Sequence, residues 1–347
     1  MLLGCNNDAV TLCFVFQQVM SVCPDLHQHY VQVCQNLGQP ENPFIAHVLQ
    51  EAGKNDEIIW TKGFTLNIAG NSHLVPVQRV TDDNLQVLVS VLRTAAFVTG
   101  LDLGYNVLTD AGAKTMATFL QGNETLLHMR MTGNKIGEKS GMFFASMLQI
   151  NPTLEKLDLG DCDIGVQCLI ATASALNQNK SVKAINLNHP LLFSQEEETT
   201  VHLALMLKNN SSLVELHLCK HEMKNFGVER LCEALYENSS LRYLDLARNK
   251  ITSEGVKFLG KLLKWNQTLQ ILDLNANRLE DDGAIYLSEA LALYNRTLQV
   301  LSVVSNNISG KGLVALSEAM KTNTELSCIY IWGNKFDEAT CMVSACF

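Results

Sequence analysis

The sequence has no cluster of basic residues. No two lysine or arginine residues are adjacent, and the formal net charge of the 347-residue chain is −9. Proteins that hold DNA or RNA ordinarily carry basic patches that neutralise phosphate groups. No apolar stretch reaches the roughly 20 residues that a membrane-spanning helix needs. We therefore expect a partner that is neither a nucleic acid nor a membrane.

Disulfide spacings are also missing. The 11 cysteines are an odd number and follow no regular framework, a pattern typical of reduced thiols. This predicts an intracellular protein, cytoplasmic in the first instance, with the cilium or axoneme and the nucleus as alternative locations. No address signal in the sequence decides between them.

What the sequence does have is an internal repeat. The stretch Leu241-Arg-Tyr-Leu-Asp-Leu-Ala-Arg-Asn249-Lys-Ile251 is repeated, residue class for residue class, by the stretch that begins at Leu269. The first apolar position of each unit recurs at spacings of 28, 28, 28, 31, 28, 28, 29 and 28 residues. These positions are Val98, Leu126, Leu154, Val182, Leu213, Leu241, Leu269, Leu298 and Leu326. A period of this length indicates a solenoid.

Each unit encodes a short strand, a turn and a helix. Leu244 and Leu246 alternate as buried strand residues do, and an apolar helical pattern follows Ile251. A single unit cannot bury its apolar side alone, so the units must stack. The predicted fold is α/β: a leucine-rich-repeat solenoid (horseshoe) with parallel β-strands on the concave face and helices on the convex face. Residues 59–347 would form about ten 28-residue-type repeats.

Residues 1–58 do not show the repeat, and we expect them to form a helical N-terminal cap. An apolar pattern predicts one helix before Pro24. A second begins after Asp25, and a third begins near Pro43. The first repeat, around Phe64 and Asn71, is degenerate.

The pattern Leu-x-x-Leu-Asp-Leu-x-x-Asn-x-Ile/Leu with its helical outer half resembles the ribonuclease-inhibitor-like leucine-rich-repeat family over roughly residues 60–340. The resemblance implies the horseshoe fold. Members include ribonuclease inhibitor, the sensing halves of NOD-like receptors, tropomodulin, Ran GTPase-activating protein and axonemal dynein-regulatory subunits. Their functions diverge, so the fold alone fixes none of them.

Two sets of asparagines recur with the period of the repeat, and each set should form a column along the solenoid. The first, after each strand, is suited to bond backbone groups of adjacent turns; it is kept at Asn71, Asn106, Asn134, Asn249, Asn277, Asn306 and Asn334, and replaced at Cys162, Pro190 and His221. The second precedes each strand, and we interpret it as left-handed C-caps of the outer helices; it comprises Asn123, Asn151, Asn179, Asn210, Asn238, Asn266, Asn295 and Asn323. Six of these also match the glycosylation acceptor pattern, which does not explain their spacing.

The one spacing of 31 residues, between Val182 and Leu213, indicates a three-residue insertion. It falls where the first asparagine column is interrupted. The segment from Asn188 to Glu198 should therefore bulge from the rim, and Ser194 with Glu197 has the spacing of a capping box that restarts the helix. The segment is either a flexible surface loop or a dedicated partner-binding loop.

No catalytic or cofactor-binding constellation emerges, so we predict no enzyme activity, no cofactor and no metal. His217, Cys219 and His221 lie close together, with His189 one repeat earlier, but four zinc ligands are not evident. An aspartate column lacks a nucleophile or a glycine-rich cradle; its members are Asp102, Asp158, Asp245 and Asp273.

The concave face of the last four repeats is the better candidate site. Aromatic and aliphatic side chains stand there beside a few acids, as in protein interfaces; they are Tyr243, Asp245, Ile271, Asp273, Asn275, Val300, Val304, Tyr330 and Trp332. Alternatively, Tyr330 and Trp332 shield the last coil. An apolar tail from Phe336 to Phe347 either folds over that edge or is covered by another polypeptide.

These features predict a non-catalytic protein-interaction scaffold or adaptor subunit of a larger intracellular hetero-complex, with a ciliary or axonemal assembly as one setting. The alternatives are a regulator of a small GTPase, by resemblance to Ran GTPase-activating protein, and a nuclear or nucleolar interaction protein. Against GTPase regulation, the sequence has no long acidic C-terminal tail.

Overall fold

The computed structural model describes residues 25–53, 63–73, 76–192 and 197–336. Ten short parallel strands form one sheet whose spatial order, β1 to β10, is the sequence order. Their bounds are Phe64–Asn67 (β1), Val98–Asp102 (β2), His128–Arg130 (β3), Lys156–Asp158 (β4), Ala184–Asn186 (β5), Glu215–His217 (β6), Tyr243–Asp245 (β7), Ile271–Asp273 (β8), Val300–Ser302 (β9) and Cys328–Tyr330 (β10).

Helices alternate with the strands along the described residues. They are Leu26–Leu37 (α1), Pro43–Ala52 (α2), Asp82–Leu92 (α3), Asp110–Gln121 (α4), Glu138–Ile150 (α5), Val166–Gln178 (α6), Glu198–Asn209 (α7), Asn225–Leu235 (α8), Ser253–Leu263 (α9), Glu280–Leu293 (α10) and Gly310–Thr322 (α11). None of the described helices has the length and apolar character that crossing a bilayer requires. The predicted leucine-rich-repeat solenoid is confirmed.

The sheet lies on the inside of the curve for a geometric reason. Neighbouring strands stand about 4.8 Å apart, whereas packed helices stand about 8–10 Å apart. One strand and one helix are stacked per repeat, so the helical layer must be longer than the sheet. The sheet is therefore the concave face and the helices form the convex face.

The core is continuous along the solenoid. The middle residue of each three-residue strand is buried, as Leu244 and Leu272 show, and the leucine two positions later is buried as well. Val256 and Leu259 of α9 belong to the same buried core as these leucines. Each coil thus buries its apolar side only because its neighbours cover it.

The described part of the N-terminal cap agrees with the sequence. Asp25 caps α1, because its side chain accepts hydrogen bonds from the amides of His27 and Gln28, and Asn42 caps α2 in the same manner. The helix predicted before Pro24 lies outside the described residues. The expected boundary between cap and solenoid, near residue 58, falls in the undescribed segment 54–62.

The first asparagine column is a buried hydrogen-bond ladder. The Asn249 amide donates to the carbonyl oxygens of Leu218 and Leu246, both at 3.0 Å, and its Oδ1 accepts from the amides of His221 and Met223. Asn334 repeats this arrangement in full. Asn277 makes the same two donor bonds, and its Oδ1 accepts from the amide of Ile251. The ladder therefore joins each coil to its neighbours.

Two of the three interruptions keep part of this role. Cys162 donates from Sγ to the carbonyl oxygen of Met131, and His221 donates from Nε2 to that of Leu187. Pro190 has no polar side chain and cannot take part. Asn71 was wrongly assigned to the ladder: its side chain is exposed, so this degenerate first coil lacks the buried bond.

The prediction of left-handed C-caps was also wrong. Asn151 and Asn179 do follow their helices directly, but with φ of −70° and −67° their backbone is extended. Asn179 instead donates its amide to the carbonyl oxygen of Leu148, 31 residues earlier, and accepts from the amides of Ser181 and Val182. The second column is thus another ladder between coils. The buried amide of Asn179 is fully engaged, which also explains its spacing without glycosylation.

Candidate functional site

Each strand presents two residues to the concave face. The middle residue points into the core, and the residues before and after it point away from it. The parallel register places Tyr243 beside Ile271 and Ile271 beside Val300, so equivalent residues form straight columns across the sheet. The second column runs through Asp273 and Ser302, and a third lies just after the strands.

Seven of the nine predicted residues line one groove on this face. The groove has a volume of about 380 Å³ and is open to solvent. It is lined by Tyr243, Ile271, Asp273, Asn275, Val300, Ser302, Val304 and Tyr330. Sequence reasoning missed Ser302, although its register position opposite Asp273 could have identified it.

The other two predicted residues lie apart from the groove lining. Asp245 is only 7% exposed, so its side chain offers little area to a partner. Trp332 is 70% exposed, and its neighbour Tyr330 in the groove lining is 46% exposed. The alternative prediction is that these aromatic residues shield the last coil. It is tied to the predicted apolar tail from Phe336 to Phe347, which would lie at the same edge. Residues 337–347 lie outside the described residues.

The groove is rigid at its polar end. Ser302 donates from Oγ to Asn275 Oδ1 at 2.6 Å, and the same oxygen accepts from the amide of Val304 at 2.8 Å. The Asp273 carboxylate in turn accepts from the amide of Asn275 at 2.8 Å. A partner would therefore meet side chains that are already ordered.

An acidic pair reaches from the groove lining into the sheet: Asp273 lines the groove, and Asp245 lies behind it on the neighbouring strand. Asp245 and Asp273 are in register on adjacent strands. Burial, followed by the charge of Asp245, raises the pKa of Asp273 above its usual range, although the Asn275 amide and His217 act in the opposite direction. Burial and the same two carboxylates raise the pKa of Tyr243 to about 12, so this phenol is neutral and remains a hydrogen-bond donor.

His217 extends the surface beyond the predicted set. Its ring lies against that of Tyr243 at a tilt of 35°, with centroids 4.7 Å apart, and its Nδ1 lies 3.6 Å from Asp245 Oδ2. Sequence reasoning weighed His217 as a possible metal ligand or as part of a concave polar surface, but did not include it among the partner-binding residues. Its strand register with Asp245 was the signal that could have placed it on this surface.

The aspartate column has a structural explanation. One oxygen of each carboxylate accepts the backbone amide two residues later, as in Asp102 with Gly104 and Asp245 with Ala247. Such bonds fasten the turn that ends the strand. In the N-terminal half, Arg130 also bridges Asp102 at 3.0 Å and Asp158 at 3.2 Å. This ionic cluster was not foreseen, although the three residues share one register position.

The segment after β5 is described as far as Leu192. Leu191 is anchored, because its amide donates to the carbonyl oxygen of Ile164 at 2.9 Å, yet its side chain is 41% exposed. Ser194 lies outside the described residues. The predicted capping box is wrong for Glu197. This residue is itself the N-cap residue of α7, and its side chain accepts hydrogen bonds from two backbone amides of the next repeat.

The histidines and cysteine near this segment are not brought together. His189 pairs with Asp161 at 2.7 Å, whereas His221 is buried against Leu187. Over residues 25–53, 63–73, 76–192 and 197–336, no group of three or more His, Cys, Asp or Glu residues is placed to hold a metal ion.

Comparison with known proteins agrees with this architecture. A family model described as "Leucine Rich repeat" matches residues 96–117, 151–169, 237–260, 266–288 and 294–317. Ribonuclease inhibitor of Sus scrofa is 28% identical over 37% of this chain and 22% of its own length.

Two relatives are similar over most of their length. Leucine-rich repeat-containing protein 34 of Mus musculus is 50% identical, over 91% of this chain and 83% of the mouse protein. The Homo sapiens protein of the same name is 53% identical, over 91% of this chain and 74% of the human protein. The chain therefore belongs to the leucine-rich repeat-containing protein 34 family.

Proposed function

We propose that this chain is a non-catalytic scaffold, an adaptor subunit that binds a protein partner in the concave groove formed by β7 to β10. The observation that carries the proposal is the groove itself. It brings Tyr243, Ile271, Val300 and Tyr330 side by side, with Asp273 among them, on a face that no other described part of the chain covers.

The composition of the groove suits a protein partner. Aromatic residues next to aliphatic ones supply the apolar contact area in which interfaces concentrate their binding energy. The acidic pair and the side-chain amide of Asn275 would orient the partner. A partner without matching hydrogen-bond donors would leave these polar groups unpaired and would therefore bind less tightly. The carboxylates fasten turns, which supports a scaffold rather than acid–base chemistry.

We further propose an intracellular location. Six described cysteines, at positions 34, 162, 168, 219, 232 and 328, are free thiols, and four of them are buried. Free thiols in this number are typical of reducing compartments. The cytoplasm is the first expectation, and a ciliary, axonemal or nuclear assembly is the alternative.

The test is affinity capture with the tagged full chain, quantified by mass spectrometry. Tyr330→Ala combined with Trp332→Ala should lose the partner that the wild type recovers. Trp265→Ala combined with Tyr294→Ala is the matched control, because it removes two exposed aromatic residues of the convex side.

The same variants separate binding from shielding. If Tyr330 and Trp332 only shield the last coil, their loss lowers the free energy of unfolding and leaves the recovered proteins unchanged. Equal partner recovery by all three proteins would contradict the proposal.

A further inference from the structure

A second concavity lies on the rim of the solenoid, where the chain leaves β5, β6 and β7. It has a volume of about 540 Å³. It is lined by His189, Pro190, Leu191, Leu192, Lys220, Glu222, Arg248 and Ala276. None of these residues belongs to the concave groove, so a ligand of this rim pocket is independent of the proposed function.

Two cations of this rim pocket are held at equivalent positions of successive coils. Lys220 and Arg248 each precede a ladder residue, and both have a left-handed backbone, with φ of 60° and 54°. Their amides donate to the carbonyl oxygens of Ala247 and Asn275, so the backbone beneath both side chains is fixed. Adjacent parallel strands stand about 4.8 Å apart, so the side chains of Lys220 and Arg248 start close to each other.

These cations have no salt-bridge partner within the described part of the chain. Neither Lys220 nor Arg248 forms an ion pair or a side-chain hydrogen bond with a described residue. The carboxylates nearby are already engaged: Glu222 pairs with Lys250, and Asp161 pairs with His189. Two neighbouring positive charges without a partner favour an anionic ligand.

The opposite wall of the pocket is apolar. Pro190 is buried, Leu192 packs partly against the core, and Leu191 remains 41% exposed. This wall is formed by Pro190, where the ladder is interrupted, and by the two leucines that follow it. A small inorganic anion would use the cations and leave this wall uncovered. A peptide carrying an acidic residue next to an apolar one would use both.

We infer that the rim pocket binds an acidic peptide segment of a partner protein, with its carboxylates on Lys220 and Arg248 and an adjacent apolar side chain on Leu191. The net charge of −9 supports specificity, because most of the molecular surface would repel such a segment.

Selection of a random-peptide display library on the immobilised full chain tests the inference. We expect enriched peptides that combine Asp or Glu with Leu, Ile, Met or Phe. Lys220→Glu combined with Arg248→Glu should lower the affinity of the best enriched peptide about tenfold or more, since charged contacts at interfaces carry energies of this order. Raising the salt concentration should weaken binding by the wild type.

Two controls decide the outcome. Lys257→Glu combined with Lys261→Glu makes the same change in net charge on the convex helix α9 and should bind like the wild type. Tyr330→Ala combined with Trp332→Ala should also bind the peptide, which keeps this test separate from the concave groove. Failure to enrich acidic peptides, equal loss in both charge-reversed variants, or complete displacement of the peptide by millimolar inorganic phosphate would overturn the inference.

Discussion

His221 donates a hydrogen bond from Nε2 to the carbonyl oxygen of Leu187 at 2.8 Å. In a regular repeat, Asn249 makes the corresponding bond to Leu218 at 3.0 Å. The first pair is 34 residues apart and the second is 31 residues apart, a difference equal to the insertion. A histidine thus maintains the ladder where the repeat is interrupted.

This contact predicts a pH dependence of stability. Burial lowers the pKa of His221 from 6.5 to about 4. Between these two values the unfolded chain binds more protons than the folded chain, so stability is complete above about pH 6.5 and falls as the pH falls. By about pH 5 the loss should reach about 2 kcal/mol. Urea unfolding at several pH values measures it.

His221→Asn is the matched variant, because asparagine donates the ladder bond without titrating. Its free energy of unfolding should vary less between about pH 7 and about pH 5 than that of the wild type. Identical pH profiles for the two proteins would show that His221 is not the responsible group.

Asn277→Ala should destabilise the solenoid by about 2–4 kcal/mol, since it leaves buried backbone groups unpaired. The lost bonds are those to the carbonyl oxygens of Leu246 and Leu274 and from the amide of Ile251. Asn36→Ala, on the exposed face of α1, is the control and should change stability by less than about 0.5 kcal/mol. Denaturant unfolding of both variants gives the comparison.

Glu197 caps the helix of the following repeat rather than its own. Its Oε1 accepts from the amide of Lys224 at 2.6 Å and from that of Gly227 at 3.1 Å. Glu197→Ala should cost about 1–2 kcal/mol, and Glu197→Gln should cost less because an amide oxygen still accepts. Thermal unfolding measures the stability of both variants. Equal stability of Glu197→Ala and Glu197→Gln would contradict the capping role.

Gly141 on α5 touches Cys168 on α6 so closely that a Cβ at position 141 would lie 1.6 Å from Sγ. Gly141→Ala should therefore destabilise the chain by about 1–3 kcal/mol, despite the better helix propensity of alanine. Gly122→Ala, where a Cβ meets no atom within 4 Å, is the neutral control.

Cys168→Gly should offset part of the cost at position 141. A double-mutant cycle measures this coupling, and additive effects of the two substitutions would contradict the contact.

The fold could be predicted from the sequence because the spacing of the leucines shows which positions are buried. A period near 28 residues with alternating Leu244 and Leu246 permits few arrangements other than stacked strand and helix. The concave columns followed from the same register, which is why seven of the nine predicted residues line one groove.

The interactions between coils were harder to predict, since each depends on two residues about 28–34 positions apart. Asn179 looked like a local helix cap, but its partner Leu148 lies in the previous repeat. Glu197 had the spacing of a local capping box and bonds the next repeat instead. Local sequence rules assign such polar residues to the nearest helix end, whereas stacking brings the neighbouring coil equally close.

The most direct test of the concave groove is site-specific photo-crosslinking in cells. A photoreactive residue at Val300, in the middle of the groove, should yield one dominant adduct with a partner protein. The same residue at Val201, which is 41% exposed on the helix α7, is the control and should yield none. Adducts at Val201 with none at Val300 would contradict the proposal that the concave face holds the partner.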